Sequence, residues 1–92
     1  MPRFFVEVPH EGTKEACDRA IKMFLETGSH FLTNADWGCN DGVHKAWFIL
    51  ETEDKEDVLR ILPPDFRRSA KIVSLTKFTR QDIPEMQSHH NL

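Results

Sequence analysis

Asp41-Gly42 constrains this chain more than any other pair of its residues. An Asp-Gly pair between two apolar runs signals a two-residue hairpin, because both central residues of a type I′ turn take positive φ. Residues 30–39 and 43–51 are then neighbouring antiparallel strands, with Asn40 opposite Val43 and Cys39 opposite His44. Side chains directly opposite on one face stand with Cβ atoms about 5 Å apart, so this register brings a thiol beside an imidazole. Slipping it by one residue would separate the two and exchange the faces of the hairpin.

The other elements follow from periodicity. Phe4, Val6 and Val8 alternate with Arg3, Phe5 and Glu7 before Pro9, which predicts a first strand over 3–8. Gly12-Thr13 opens a helix, with Thr13 as N-cap and Glu15 in the first turn. Its apolar stripe is Ala16, Cys17, Ala20, Ile21, Phe24 and Leu25, and Gly28 stops it as the C′ residue. Oxygens of residues 52–54 cap a second helix over 55–62, with Val58, Leu59, Ile61 and Leu62 inward and Pro63-Pro64 ending it. The β-branched and apolar run at 70–78 predicts a fourth strand.

The order β-α-β-β-α-β is the ferredoxin-like unit, an α+β fold. It implies a four-stranded antiparallel sheet of order 4-1-3-2 with two helices on one face. Connectivity then places the end of the first strand, the start of the first helix and the hairpin along one edge, gathering His10, Cys17, Cys39 and His44. His30 belongs to the opposite end. The hairpin register sends Trp37, Cys39, His44, Ala46, Phe48 and Leu50 toward the helices. Leu32, Asn34, Asp36, Lys45, Trp47 and Ile49 face the other way, joined by Phe5, Val73 and Leu75. An open sheet face with a tryptophan and several aliphatics calls for a partner, and a homodimer through that face is the expectation.

Length and composition bound the rest. The 92 residues make one domain, read as 1–79, followed by a polar tail over 80–92 that ends Ser-His-His-Asn-Leu. A net charge of −3 offers no basic field for nucleic acid. Arg67, Arg68, Lys71, Lys77 and Arg80 make the C-terminal third basic, in contrast to an acidic 51–57 segment, and with no glycine-rich phosphate cradle this reads as a solvated surface. The longest apolar run, Ala46 to Leu50, is far below the roughly 18 residues of a membrane span. The cysteines, at 17 and 39, form neither a CxxC pair nor a disulfide framework, so a reducing cytoplasm is the expected compartment.

The opening Met-Pro-Arg-Phe-Phe-Val-Glu, the βαββαβ order and Leu-Pro-Pro after the second helix resemble the dimeric α+β barrel superfamily over residues 2–79. That superfamily holds muconolactone isomerases, small haem-degrading and quinol monooxygenases, and compact uncharacterised proteins with a nickel-binding group among them. The resemblance implies a dimer. It admits two kinds of function: binding of a metal ion or small ligand, or a small-molecule isomerase or monooxygenase using the cleft between sheet and helices.

The residues point first to metal. Cys39 and His44, completed by His10 and Cys17, form a thiolate and imidazole set that suits a divalent transition ion such as nickel, zinc or copper. Asp36 and Asp41 are near enough in sequence to ligate or to orient an imidazole. Each member also has a plainer role: Cys17 as a small core residue, His10 as a loop residue, Cys39 and His44 as hairpin positions with no ligand. The same Cys-His pair is compatible with an activated nucleophile, although no oxyanion hole accompanies it. For an enzyme, Glu7, His30, Asn34 and Asp36 would supply acid-base groups, with Trp37 and Trp47 as walls. Whether the chain catalyses anything is left open by its sequence.

Overall fold

The computed structural model describes residues 1–83. Four strands, β1 (Arg3–Pro9), β2 (Asp36–Trp37), β3 (Lys45–Glu51) and β4 (Lys71–Leu75), form one antiparallel sheet. Three helices, α1 (Lys14–Glu26), α2 (His30–Thr33) and α3 (Lys55–Ile61), complete an α+β fold. The strand order is β2-β3-β1-β4, which counted from the β4 edge reads 4-1-3-2. No helix among the described residues is long and apolar enough to cross a membrane.

Local chemistry sets the helix ends as expected. Thr13 Oγ1 accepts the Ala16 N–H at 3.0 Å, and Gly28 follows the C-cap Thr27 with φ +74°, in the left-handed region glycine enters without a Cβ penalty. Asp54 caps α3 by accepting the Asp57 N–H at 2.9 Å. The core lies between the helices and one sheet face. Phe4, Val6 and Val8 of β1 and Ala46, Phe48 and Leu50 of β3 meet Phe24 of α1, Val58 of α3 and Leu62 just beyond it. Phe24 is fully buried and takes Trp37, Phe48 and Phe66 edge-on at centroid distances of 5.0, 6.4 and 5.4 Å. Such pairs add about 0.5–1.5 kcal/mol each beyond area burial. Leu25, expected on the buried stripe, is instead 54% exposed.

The region before the hairpin departs from expectation. The strand predicted over 30–39 is a helical turn, α2, and then a strand of two residues. Alternation would have sent Leu32 to the open face, whereas the helical turn buries it to 1% exposure while Phe31 packs alongside. Burial of that large side chain outweighs the strand pattern. Among the described residues the helices therefore number three, not two. Of the expected polar tail, residues 80–82 form a 3-10 turn, and the remainder, including His89 and His90, lies outside the described residues.

The open face carries a row of apolar side chains across three strands, since Phe5 pairs with Ile49 on one side and Val73 on the other. Ile49 is 51% and Val73 39% exposed. Beside that row Trp47 Nε1 donates to Glu7 Oε1 at 3.0 Å. This hydrogen bond, helped by Lys45 and Lys71, holds the Glu7 carboxyl below its ordinary value.

Candidate metal centre

Three side chains from separate stretches of chain meet at one end of the inner sheet face. The β1–β3 register pairs Pro9 with Lys45, and one step further the His10 N–H donates to the His44 carbonyl at 3.0 Å. Because side chains alternate along a strand, His10 follows Val8 and His44 follows Ala46 onto the inner face. Their rings stand 5.6 Å apart, edge to face at 69°. On the other flank Trp37 pairs with Ala46, and the Gly38 N–H donates to the Lys45 carbonyl at 3.0 Å. Cys39 therefore arrives beside His44. The three form a transverse row, one step beyond Val8, Ala46 and Trp37.

The turn that delivers Cys39 is not the expected two-residue one. Cys39–Asp41 is a 3-10 turn closed by Gly42 at φ +76°, and no residue other than glycine takes positive φ among the described residues. Gly38 is the tight point of this loop. A Cβ there would fall 2.7 Å from the Val43 carbonyl oxygen and 2.8 Å from the Trp47 ring. The register of the paired residues survives the longer loop, because it is fixed by the ladder at Asp36–Trp37 and not by the turn.

One donor atom from each of His10, Cys39 and His44 lies within 4.8 Å of the others, and all three residues are half-buried. Cys39 Sγ is 3.2 Å from His10 Nε2. His10 Nδ1 is 2.9 Å from the Glu11 carbonyl oxygen. Bonding to an acceptor places the proton on Nδ1 and leaves the Nε2 lone pair facing Cys39, the arrangement that orients metal-binding imidazoles. A tetrahedral ion with bonds of about 2.0–2.3 Å holds its donors about 3.3–3.8 Å apart, so closing the group takes at most about 1.5 Å.

His44 adds a second observation at this group. Its Nδ1 is buried without a hydrogen-bond partner, alone in this among the described side-chain nitrogens and oxygens. A buried polar atom left so costs about 1–3 kcal/mol. The other edge of the ring lies under the loop at Gly12, where a Cβ would sit 3.3 Å from His44 Cδ2. Glycine there allows the loop to close over the imidazole.

Cys17, the fourth expected ligand, is not in the group. It is a buried residue of α1 in the core, and hydrogen bonding with Cys39, together with burial, pushes its thiol up to about 11. Asp36 and Asp41 are also outside the group, and the orienting partner is the Glu11 backbone. A cavity of about 510 Å³ opens beside the row, with Cys17, Trp37, Cys39 and His44 in its walls. His30, Asn34, Asp36 and Trp47 line a separate depression of about 380 Å³ at the open-face side of β3. There the Asn34 amide donates to the His30 carbonyl at 2.7 Å, while Glu7 accepts from Trp47, which also lines the depression.

Sequence reasoning missed Gly12 and Gly38. The signal for Gly12 is its position next to the Thr13 N-cap, at the same edge as His44. Comparison with protein-family models, with curated proteins and with solved structures gives no match.

Proposed function

We propose that the protein binds one divalent transition-metal ion through His10 Nε2, Cys39 Sγ and His44 Nδ1. The unpartnered, buried His44 Nδ1 carries this reading: a metal ion is the partner that its lone pair lacks. A thiolate with two imidazoles favours zinc, nickel or copper over magnesium or calcium. Binding displaces the Cys39 proton, so affinity rises with pH. The test is competition of zinc, nickel and copper against a chromogenic chelator, using tag-free chain. One ion per chain, lost in Cys39→Ser and in His44→Ala, is expected. Binding that survives both substitutions refutes the site.

The fold is read here as a ferredoxin-like unit whose second strand has shrunk to two residues, and the protein as a homodimer through the Val73–Phe5–Ile49 row. Three observations support this: the order of the paired strands, helices on one sheet face, and apolar side chains left exposed on the other.

A further inference from the structure

Three protein donors leave a tetrahedral ion one position short, and the cavity shows where that position opens. Cys39 and His44 line the 510 Å³ cavity, whereas His10 borders a different depression, with Pro9 and Glu11. The cavity is therefore on the free side of the row. Its volume falls in the range of small-molecule sites, roughly 300–1,000 Å³.

The walls define what would fit. Trp37, held edge-on by Phe24, and Ile21 of α1 make an apolar surface. Asn40 adds an amide beside Cys39. Thr13 and Lys14 bring the N-terminal turn of α1, a helix of 13 residues, whose dipole favours negative charge there. One thiolate on a divalent ion leaves a net single positive charge at the bottom of the cavity. Asp18 also borders the cavity, with its carboxylate on Lys14 Nζ at 2.7 Å, so the mouth is close to neutral and does not call for a second anionic group.

We infer that this cavity takes a small monocarboxylate with a flat apolar body, whose carboxylate completes the coordination of the ion held by His10, Cys39 and His44. The body lies along Trp37 and Ile21, and the carboxylate reaches the ion between Cys39 and His44. This inference rests on the metal-binding reading, and its test keeps the two apart.

The protein is loaded with cobalt(II), whose thiolate charge-transfer band reports ligation by cysteine and is blind to ions held by histidines alone. Benzoate and benzyl alcohol, of the same shape but different charge, are then titrated while the ligand-field bands are followed. Benzoate is expected to shift the bands saturably, and benzyl alcohol to bind at least about tenfold more weakly, a difference of about 1.4 kcal/mol. Lys14→Glu, a change at an exposed side chain, should keep the charge-transfer band and weaken benzoate about fivefold. Ile21→Gln should likewise keep cobalt and weaken benzoate. If the charge-transfer band forms and benzoate leaves the ligand-field bands unchanged, the monocarboxylate site is refuted and the metal site stands. The same holds if both variants bind benzoate as the parent does. If no charge-transfer band forms, the metal reading fails and this inference fails with it.

Discussion

Replacing His44 by leucine should stabilise the metal-free protein while abolishing its response to metal. The buried, unpartnered Nδ1 is a standing penalty of about 1–3 kcal/mol, and leucine, of similar volume, removes it. Against that gain stands the lost edge-to-face contact with His10, worth about 0.5–1.5 kcal/mol for an aromatic pair. The net expectation is about +1 kcal/mol, or about 4–8 °C in Tm for a domain of this size. Zinc at about one hundred times its Kd adds about 2.7 kcal/mol to the parent protein and nothing comparable to the variant. Thermal unfolding followed by circular dichroism, once with chelator and once with zinc, should therefore show the order of Tm values reversing. A His44→Leu protein destabilised by more than about 1 kcal/mol in chelator would show that the imidazole is satisfied in the fold, and the reasoning would be wrong. An equal zinc shift in both proteins would refute the site from the other side.

Gly38→Ala should lose about 1–3 kcal/mol in denaturant unfolding, since its Cβ meets the Val43 carbonyl and the Trp47 ring, and a change below about 0.5 kcal/mol would show that the loop yields. Cys17 predicts an alkaline effect. With its thiol raised from 9.0 to about 11, the folded chain holds a proton that the unfolded chain releases, so stability falls as pH rises from about 9 through about 11. The chain has no tyrosine, so thiolate absorbance in chelator reports the two cysteines alone, and Cys17→Ala should remove the component near 11 and flatten the stability loss. Sedimentation velocity should show a dimer that Ile49→Lys converts to monomer without loss of secondary structure, and a parent protein sedimenting as a monomer would refute pairing through the open face.

The row of donors was legible in the sequence because strand alternation and strand neighbours are properties of pattern. Phe4, Val6 and Val8 set the phase that carries His10 inward, and Ala46, Phe48 and Leu50 do the same for His44. The longer turn was not legible: Asp-Gly suits a type I′ turn, but Gly38 can approach Trp47 closely enough to start a 3-10 turn instead. Nor was α2, because local alternation over 30–39 carries no information about the gap in the core that Leu32 fills. Cys17 was placed at the right edge but one layer too deep, on the helix above the row. The unsatisfied nitrogen of His44, on which the proposed function rests, is a property of three-dimensional packing and has no signature along the chain.

X-ray absorption spectroscopy of the zinc-loaded protein tests the metal site most directly, because it counts ligand types at the ion. The expected first shell holds one sulfur at about 2.3 Å and two imidazole nitrogens at about 2.0–2.1 Å, with one further light atom. In Cys39→Ser the sulfur should vanish. A shell of nitrogen and oxygen only, or one with two sulfurs that brings Cys17 into the site, would contradict the account.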